Sequence, residues 1–286
     1  FVSEYLLKVG KEGMIMNGTN DLMKFRTMYL KAIAESWRDT TGAFLKKLQQ
    51  DPIGVLQSLG DYEFPWDIHI DIKSVAPEDS LWSPEIAGGW VGKNAVICLW
   101  LPPPPENEDE YGRAWAAYYD EFPSYLGAIQ NSPRQANPAS YGHSYAPGMG
   151  KANDFLEFSA VVMRLIALVW KDKQVLREIQ AIENTNKGVT IINKWLGFNM
   201  PWNMDVSLKL SGWSSSSSDE EKLCRWNSER KEWPKPIQGK RPNSCRNSLQ
   251  FYIPSRPIQA EKDKSIEAIA LSAYNMTGDQ YPFTCP

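Results

Sequence analysis

Asp67, His69 and Asp71 alternate along "DIHID", so in an extended segment all three side chains leave the backbone on one side. A carboxylate–imidazole–carboxylate row has the donors to grip a divalent metal, or an acid and a base for proton transfer. A strand with one solvent-facing side produces the same alternation, and this plainer reading is preferred. The matching positions of a later, similar segment are Asn203, Asp205 and Ser207, so the row belongs to no repeated pattern. The other histidine, His143, lies in a stretch rich in Pro, Gly and Ser. No Gly-rich phosphate loop, nucleophile elbow, paired-cysteine metal motif or kinase signature is present. The reading is a non-enzyme, with no cofactor implied.

Binding chemistry concentrates in two loops. Residues 211–248 hold Trp213, Trp226 and Trp233 beside Arg225, Arg230 and Lys231, after a run of serines. Such indoles and guanidiniums can stack on bases, sugars or a partner's cations, or can lie across their own domain. Trp82 and Trp90, in "LWSPEIAGGWVG", occupy a matching loop earlier in the chain, which suggests a paired aromatic surface of the sort protein contacts enrich. Cys224 and Cys245 flank the later loop and can be bridged in an oxidising compartment; Cys98, in an apolar run, reads as a small buried hydrophobe. "PPPP" at 102–105 fits a polyproline ligand or a strand terminator equally well.

The elements that must position these residues come in two similar sets. Phe25, Met28, Tyr29, Ala32, Ile33, Ser36 and Trp37 mark one face of a helix. Phe158, Val161, Val162, Leu165, Ile166, Val169 and Trp170 repeat it 133 positions later. Asp51-Pro52 then supplies a helix N-cap and first turn, and Leu59-Gly60 a stop, matched by Leu196-Gly197. "PWDIHIDI" and "PWNMDVSLKL" follow as period-two strands, with Ile68, Ile70 and Ile72 facing one way, as do Met204, Val206 and Leu208. "ICLWLPPPP" and "QFYIPSRP" are apolar strands ended by proline, each followed by a helix: Tyr111, Trp115, Tyr118 and Phe122 in the first, Ile266, Ala270, Ala273 and Tyr274 in the second. The spacing between copies only grows along the chain, as expected of one duplicated unit whose later copy accepted loop insertions.

The fold class expected is therefore α+β: two tandem copies of a helix-helix-helix-strand-strand-helix unit related by a pseudo-twofold. Two strands alone make no stable sheet in water, so the copies share one sheet or pack sheet on sheet. The expected boundaries are 1–130, a linker at 131–153 and 154–286.

Residues 31–72 resemble the nitrile-hydratase-α-like leader region of bacterial precursors of thiazole/oxazole-modified microcins. Trp37, Asp39, Phe44, Leu48, Asp51, Pro52, Leu59 and Gly60 carry the likeness, and Trp170, Asp172, Leu196 and Gly197 keep part of it in the second copy. Nitrile hydratase chemistry needs a tight cysteine cluster on iron or cobalt, which the four cysteines here do not form. The resemblance implies a leader-like body that a maturation enzyme recognises.

The net charge of −3 and pI near 5.6 exclude a general affinity for nucleic acid or anionic membrane, and no apolar run reaches the length of a membrane span. Two functions remain. The first is a non-catalytic scaffold or binding protein that self-assembles, as a homo-oligomer, or docks a heterologous protein through the loops at 76–94 and 211–248. The second is a ribosomally made, bacteriocin-type precursor modified by a maturation enzyme. A soluble protein of either kind fits the cytoplasm or the outside of the cell.

Overall fold

The structure is a computed structural model, describing residues 18–60, 69–85, 89–121, 152–200, 204–214, 219–234 and 243–277. Helix α1 (Gly18–Arg38) buries Phe25, Met28, Tyr29, Ala32, Ile33 and Trp37, the stripe expected from a 3.6-residue period. Helices α2 (Ala43–Gln50) and α3 (Pro52–Ser58) follow. Pro52 sits in the first turn of α3, and the Asp51 carboxylate accepts from the Gly54 amide at 3.1 Å. Strand β1 (His69–Ser74) turns Ile70 and Ile72 inward. A small hairpin, β2 (Leu81–Trp82) with β3 (Trp90–Val91), leads to β4 (Val96–Trp100) and α4 (Tyr111–Glu121).

The series then repeats. Helix α5 (Ala152–Lys171) buries Phe158, Val161, Val162, Leu165, Ile166 and Val169. Asp172 caps α6 (Lys173–Ile182) through the Gln174 amide at 2.7 Å, and α7 (Gly188–Leu196) ends on Gly197 at φ 67°. Strand β5 (Asp205–Lys209), the short α8 (Asp219–Lys222), β6 (Ser248–Ile253) and α9 (Ser265–Thr277) complete the second copy. A Cβ on Gly188 would meet Val206 Cγ1 and the Val206 carbonyl at 2.8 Å, so only glycine lets α7 approach β5 this closely.

All four long strands form one sheet in the order β1-β6-β4-β5. β1 runs parallel to β6, β4 parallel to β5, and the two inner strands antiparallel to each other. The duplication is visible in the register. Ile97 pairs with Leu249, its own counterpart, so a local twofold axis passes through that pair. Rotation about it carries Val96↔Gln250 onto Cys98↔Ser248, and His69↔Ser248 onto Val96↔Asp205.

The two strands of one copy therefore never touch each other. Each copy's first strand lies beside the other copy's second strand, and the side chains follow the same exchange. In one lobe Trp37 Nε1 donates to the Pro254 carbonyl at 2.7 Å; in the other, Trp170 Nε1 donates to the Pro102 carbonyl at 2.8 Å. Trp90 Nε1 reaches the Ala270 carbonyl at 2.7 Å and Trp233 Nε1 the Ala114 carbonyl at 2.8 Å. Tyr274 and Tyr118 set an edge against these indoles, with ring centroids 5.6 and 6.0 Å apart. One lobe thus joins α1–β3 to β6 and α9, and the other joins β4 and α4 to α5–β5.

Replacing Trp37 or Trp170 by Phe keeps most of the ring but removes one donor, buried at Trp37 and partly buried at Trp170, at a cost of about 1–2 kcal/mol; alanine at either position should cost about 3–5 kcal/mol. Urea denaturation should register comparable losses at the two sites, because the contacts are equivalent. A loss at one site only would contradict the reciprocal packing.

Candidate functional site

His69 and Asp71 do share one face of β1, whereas Asp67 lies outside the described residues. By register and side-chain alternation, the same face of the sheet carries Ser248 and Gln250 of β6, Cys98 of β4, and Ser207 and Lys209 of β5. Asp71 is held by Lys73 at 2.9 Å, and Lys209 Nζ donates to Ser248 Oγ at 3.3 Å. Burial pushes the His69 pKa below its ordinary value; Arg246 pushes the same way, Asp71 opposes it, and Lys209 and Lys73 add to the lowering. The fold thus favours the neutral form of the imidazole. Among the described residues no group of three His, Cys, Asp or Glu side chains could hold a metal ion.

The residues expected to bind partners separate into two groups. Trp82, Trp90, Trp226 and Trp233 are buried, at 7%, 6%, 8% and 0% exposure. This corrects the expectation of an exposed aromatic surface: their rings are spent on anchoring the loops to the opposite copy's helix. Trp226 Nε1 donates to Glu110 Oε2 at 3.0 Å. The counterpart of Glu110 is Ile266, and the buried Trp82 Nε1 has no hydrogen-bond partner among the described residues. Arg230 is exposed, 4.0 Å from Glu232.

Trp213 and Arg225 do meet, in a groove of about 660 Å³. One wall is Pro103, Pro104, Pro105 and Glu106 from the end of β4; the other is Gly212–Ser214 with Lys222 and Arg225–Glu229 from the second copy's long loop. Trp213 Nε1 donates to the Leu101 carbonyl at 2.8 Å, fastening the two walls together. Arg225 donates from Nε to the Gly212 carbonyl at 3.1 Å and from Nη2 to the Ser214 carbonyl, so its guanidinium braces the loop. Behind it Cys224 and Cys245, both fully buried, are joined in a disulfide. Gly212, at φ 89°, packs where a Cβ would fall 2.7 Å from Cys224 Cβ. Cys98 is a free thiol, half-buried rather than enclosed. The floor and walls offer proline and indole surface, two cations and two carboxylates.

The groove occupies the place where the two copies differ most. The β5–β6 connection spans 210–247 against 75–95 for β1–β4, and Pro103–Pro105 correspond to Ser255, Arg256 and Pro257. Arg256 there is tied to Glu267 at 2.5 Å. The proline run carried a sequence signal, but that it would face Trp213 did not follow from spacing.

An imidazole kept neutral by the fold weakens stability on the acid side. Above about pH 6.5 neither state of His69 is charged; as pH falls through that value the unfolded chain takes up a proton first, and stability declines until the lower folded pKa is reached. Urea titrations at about pH 7.5 and about pH 5.5 should therefore show a smaller loss for His69→Gln than for the unmodified chain. The disulfide closes a separation of 21 residues, so reduction should remove about 3 kcal/mol of stability, measurable by denaturation with and without a thiol reductant.

No helix among the described residues is long and apolar enough to cross a membrane. A family described as "Ribosomal natural product, two-chain TOMM family", TOMM standing for thiazole/oxazole-modified microcin, matches residues 20–126 and again residues 153–282. Neither a curated protein nor a solved structure matches the chain.

Proposed function

The chain belongs to the two-chain TOMM family of ribosomal natural products, and we propose that it acts as a precursor-type substrate, a folded body on which a maturation enzyme docks. The observation that carries this reading is the groove of Pro103–Pro105 and Trp213. It lies on the insertion that distinguishes the second copy and is lined in part by Ser214, the first of the serine run 214–218. The units 1–130 and 154–286, joined by 131–153, are the ancestral repeats in this reading.

Heterocycle formation limits which residues can react. The side-chain oxygen or sulfur of a Ser, Thr or Cys attacks the preceding carbonyl carbon, one water leaves, and the residue's nitrogen becomes part of a ring without its N–H. Cys98 sits in an inner strand whose backbone groups are committed on both sides, and Cys224 and Cys245 are bonded and buried. Ser214 is exposed and adjoins the groove. We therefore assign Ser214–Ser218 as the acceptor run, with Cys285, outside the described residues, as a further acceptor.

A second reading, a non-catalytic scaffold that self-assembles or docks a partner, is supported by the reciprocal packing of the copies. Intact mass of the protein from its natural source separates the two. The precursor reading expects the encoded mass less one water per heterocycle, with the deficit falling when Ser214–Ser218 are replaced by alanine and when Arg225→Glu disturbs the groove. An unmodified mass would overturn it and leave the scaffold.

A further inference from the structure

The surface between the two copies has the properties of an interface between two molecules. It is isologous: the central pair Ile97↔Leu249 lies on the twofold, and the anchoring indoles Trp37 and Trp90 of one copy have their equivalents in Trp170 and Trp233 of the other. It is also obligatory. β1 has its neighbour in β6 and β5 has its neighbour in β4, so one copy alone holds two strands that do not pair and two anchoring indoles without the contacts they make across the interface. Trp37 and Trp90 have lost their acceptors at Pro254 and Ala270 in such a half, and Tyr29 Oη its bond to the Tyr252 carbonyl at 2.8 Å.

What holds the copies together is this surface, because the covalent connection does little to dictate which partner is used. The chain from 122 to 151 contains thirty residues, and an extended segment of that length can span about 100 Å. Nothing in the side-chain complementarity distinguishes the second half of the same molecule from the second half of another.

We propose that this surface takes a second copy of the chain, two molecules exchanging halves to form a dimer in which the first half of each completes the second half of the other. Among the described residues the exchange breaks no contact within a lobe and needs no new one. It competes only with the tether, so the dimer is favoured where the protein is crowded and persists on dilution because separation requires both lobes to open. The proposal is independent of the precursor reading, since half exchange neither requires nor prevents modification of Ser214–Ser218.

Two full-length variants test it. Trp37→Phe damages the first half and Trp170→Phe the second, each leaving the ring bulk in place. After unfolding together and refolding at high concentration, the exchanged mixed dimer contains one lobe pair with both defects and one with neither. Native mass spectrometry should find a species of twice 32.5 kDa that carries one copy of each variant. Its thermal unfolding should include a component at the midpoint of the unmodified chain, absent from either variant alone. A second measurement uses the unmodified full-length chain with a specific protease site placed after Asn137. Once cut, it should remain a single particle containing both fragments, and cut samples of the two Trp variants should regenerate the unmodified midpoint on mixing. Monomers at every refolding concentration, a mixed dimer without the unmodified component, or fragments that separate on cutting would each overturn the proposal.

Discussion

Two indole N–H groups set the terms for everything else in this molecule. Trp37 and Trp170 stand at the ends of equivalent helices, and each donates to the proline carbonyl that ends a strand of the other copy, Pro254 or Pro102. Proline closes the strand because it has no N–H to continue the ladder, and the carbonyl before the turn would be left buried without a donor. The tryptophan supplies that donor from the opposite half. A helix, a strand end and a turn are thus fixed together, and the same is done again about the twofold.

From this crossing follow the sheet order and the lobes. Because each strand end is capped from the other copy, the first strand of each half must lie along the second strand of its neighbour, giving two parallel outer pairs around one antiparallel inner pair. Trp90 and Trp233 extend the crossing to the last helix of each copy, with ring centroids 6.0 Å from Trp37 and 6.5 Å from Trp170. Once the core has been closed symmetrically, the residues that break the symmetry are those the fold does not require: the proline wall, the loop stapled by Cys224 and Cys245, and the groove between them. Folding alone gives no reason for them.

Much of this was legible from residues alone, for identifiable reasons. Burial imposes a period of 3.6 on α1 and α5 and a period of 2 on β1 and β5, so the duplicated stripes, the element order and the pseudo-twofold could be read directly. Asp51, Asp172 and Gly197 announce helix ends because their chemistry is local. Whether the indoles of Trp82, Trp90, Trp226 and Trp233 form a surface or lie across their own domain was open in the residues alone, because the acceptors of Trp90, Trp226 and Trp233 are backbone carbonyls and one distant carboxylate, Glu110, none of which leaves a pattern near the tryptophan. The groove was half legible: Trp213, Arg225 and the proline run each stood out, but their meeting depends on the sheet bringing the ends of β4 and β5 side by side. Pairing of Cys224 with Cys245 remained one of two alternatives, since spacing says nothing of redox state. Asp67, His143 and Cys285 lie outside the described residues.

Native-state hydrogen exchange tests the reciprocal closure most directly. If each half exists only by completing the other, amides of β4 and β6 on either side of the Ile97–Leu249 pair open with one free energy and one dependence on denaturant, and those of β1 and β5 open with them. A chain in which β1 and β6 exchange while β4 and β5 stay protected would contradict the account, because one lobe would then be standing without the other.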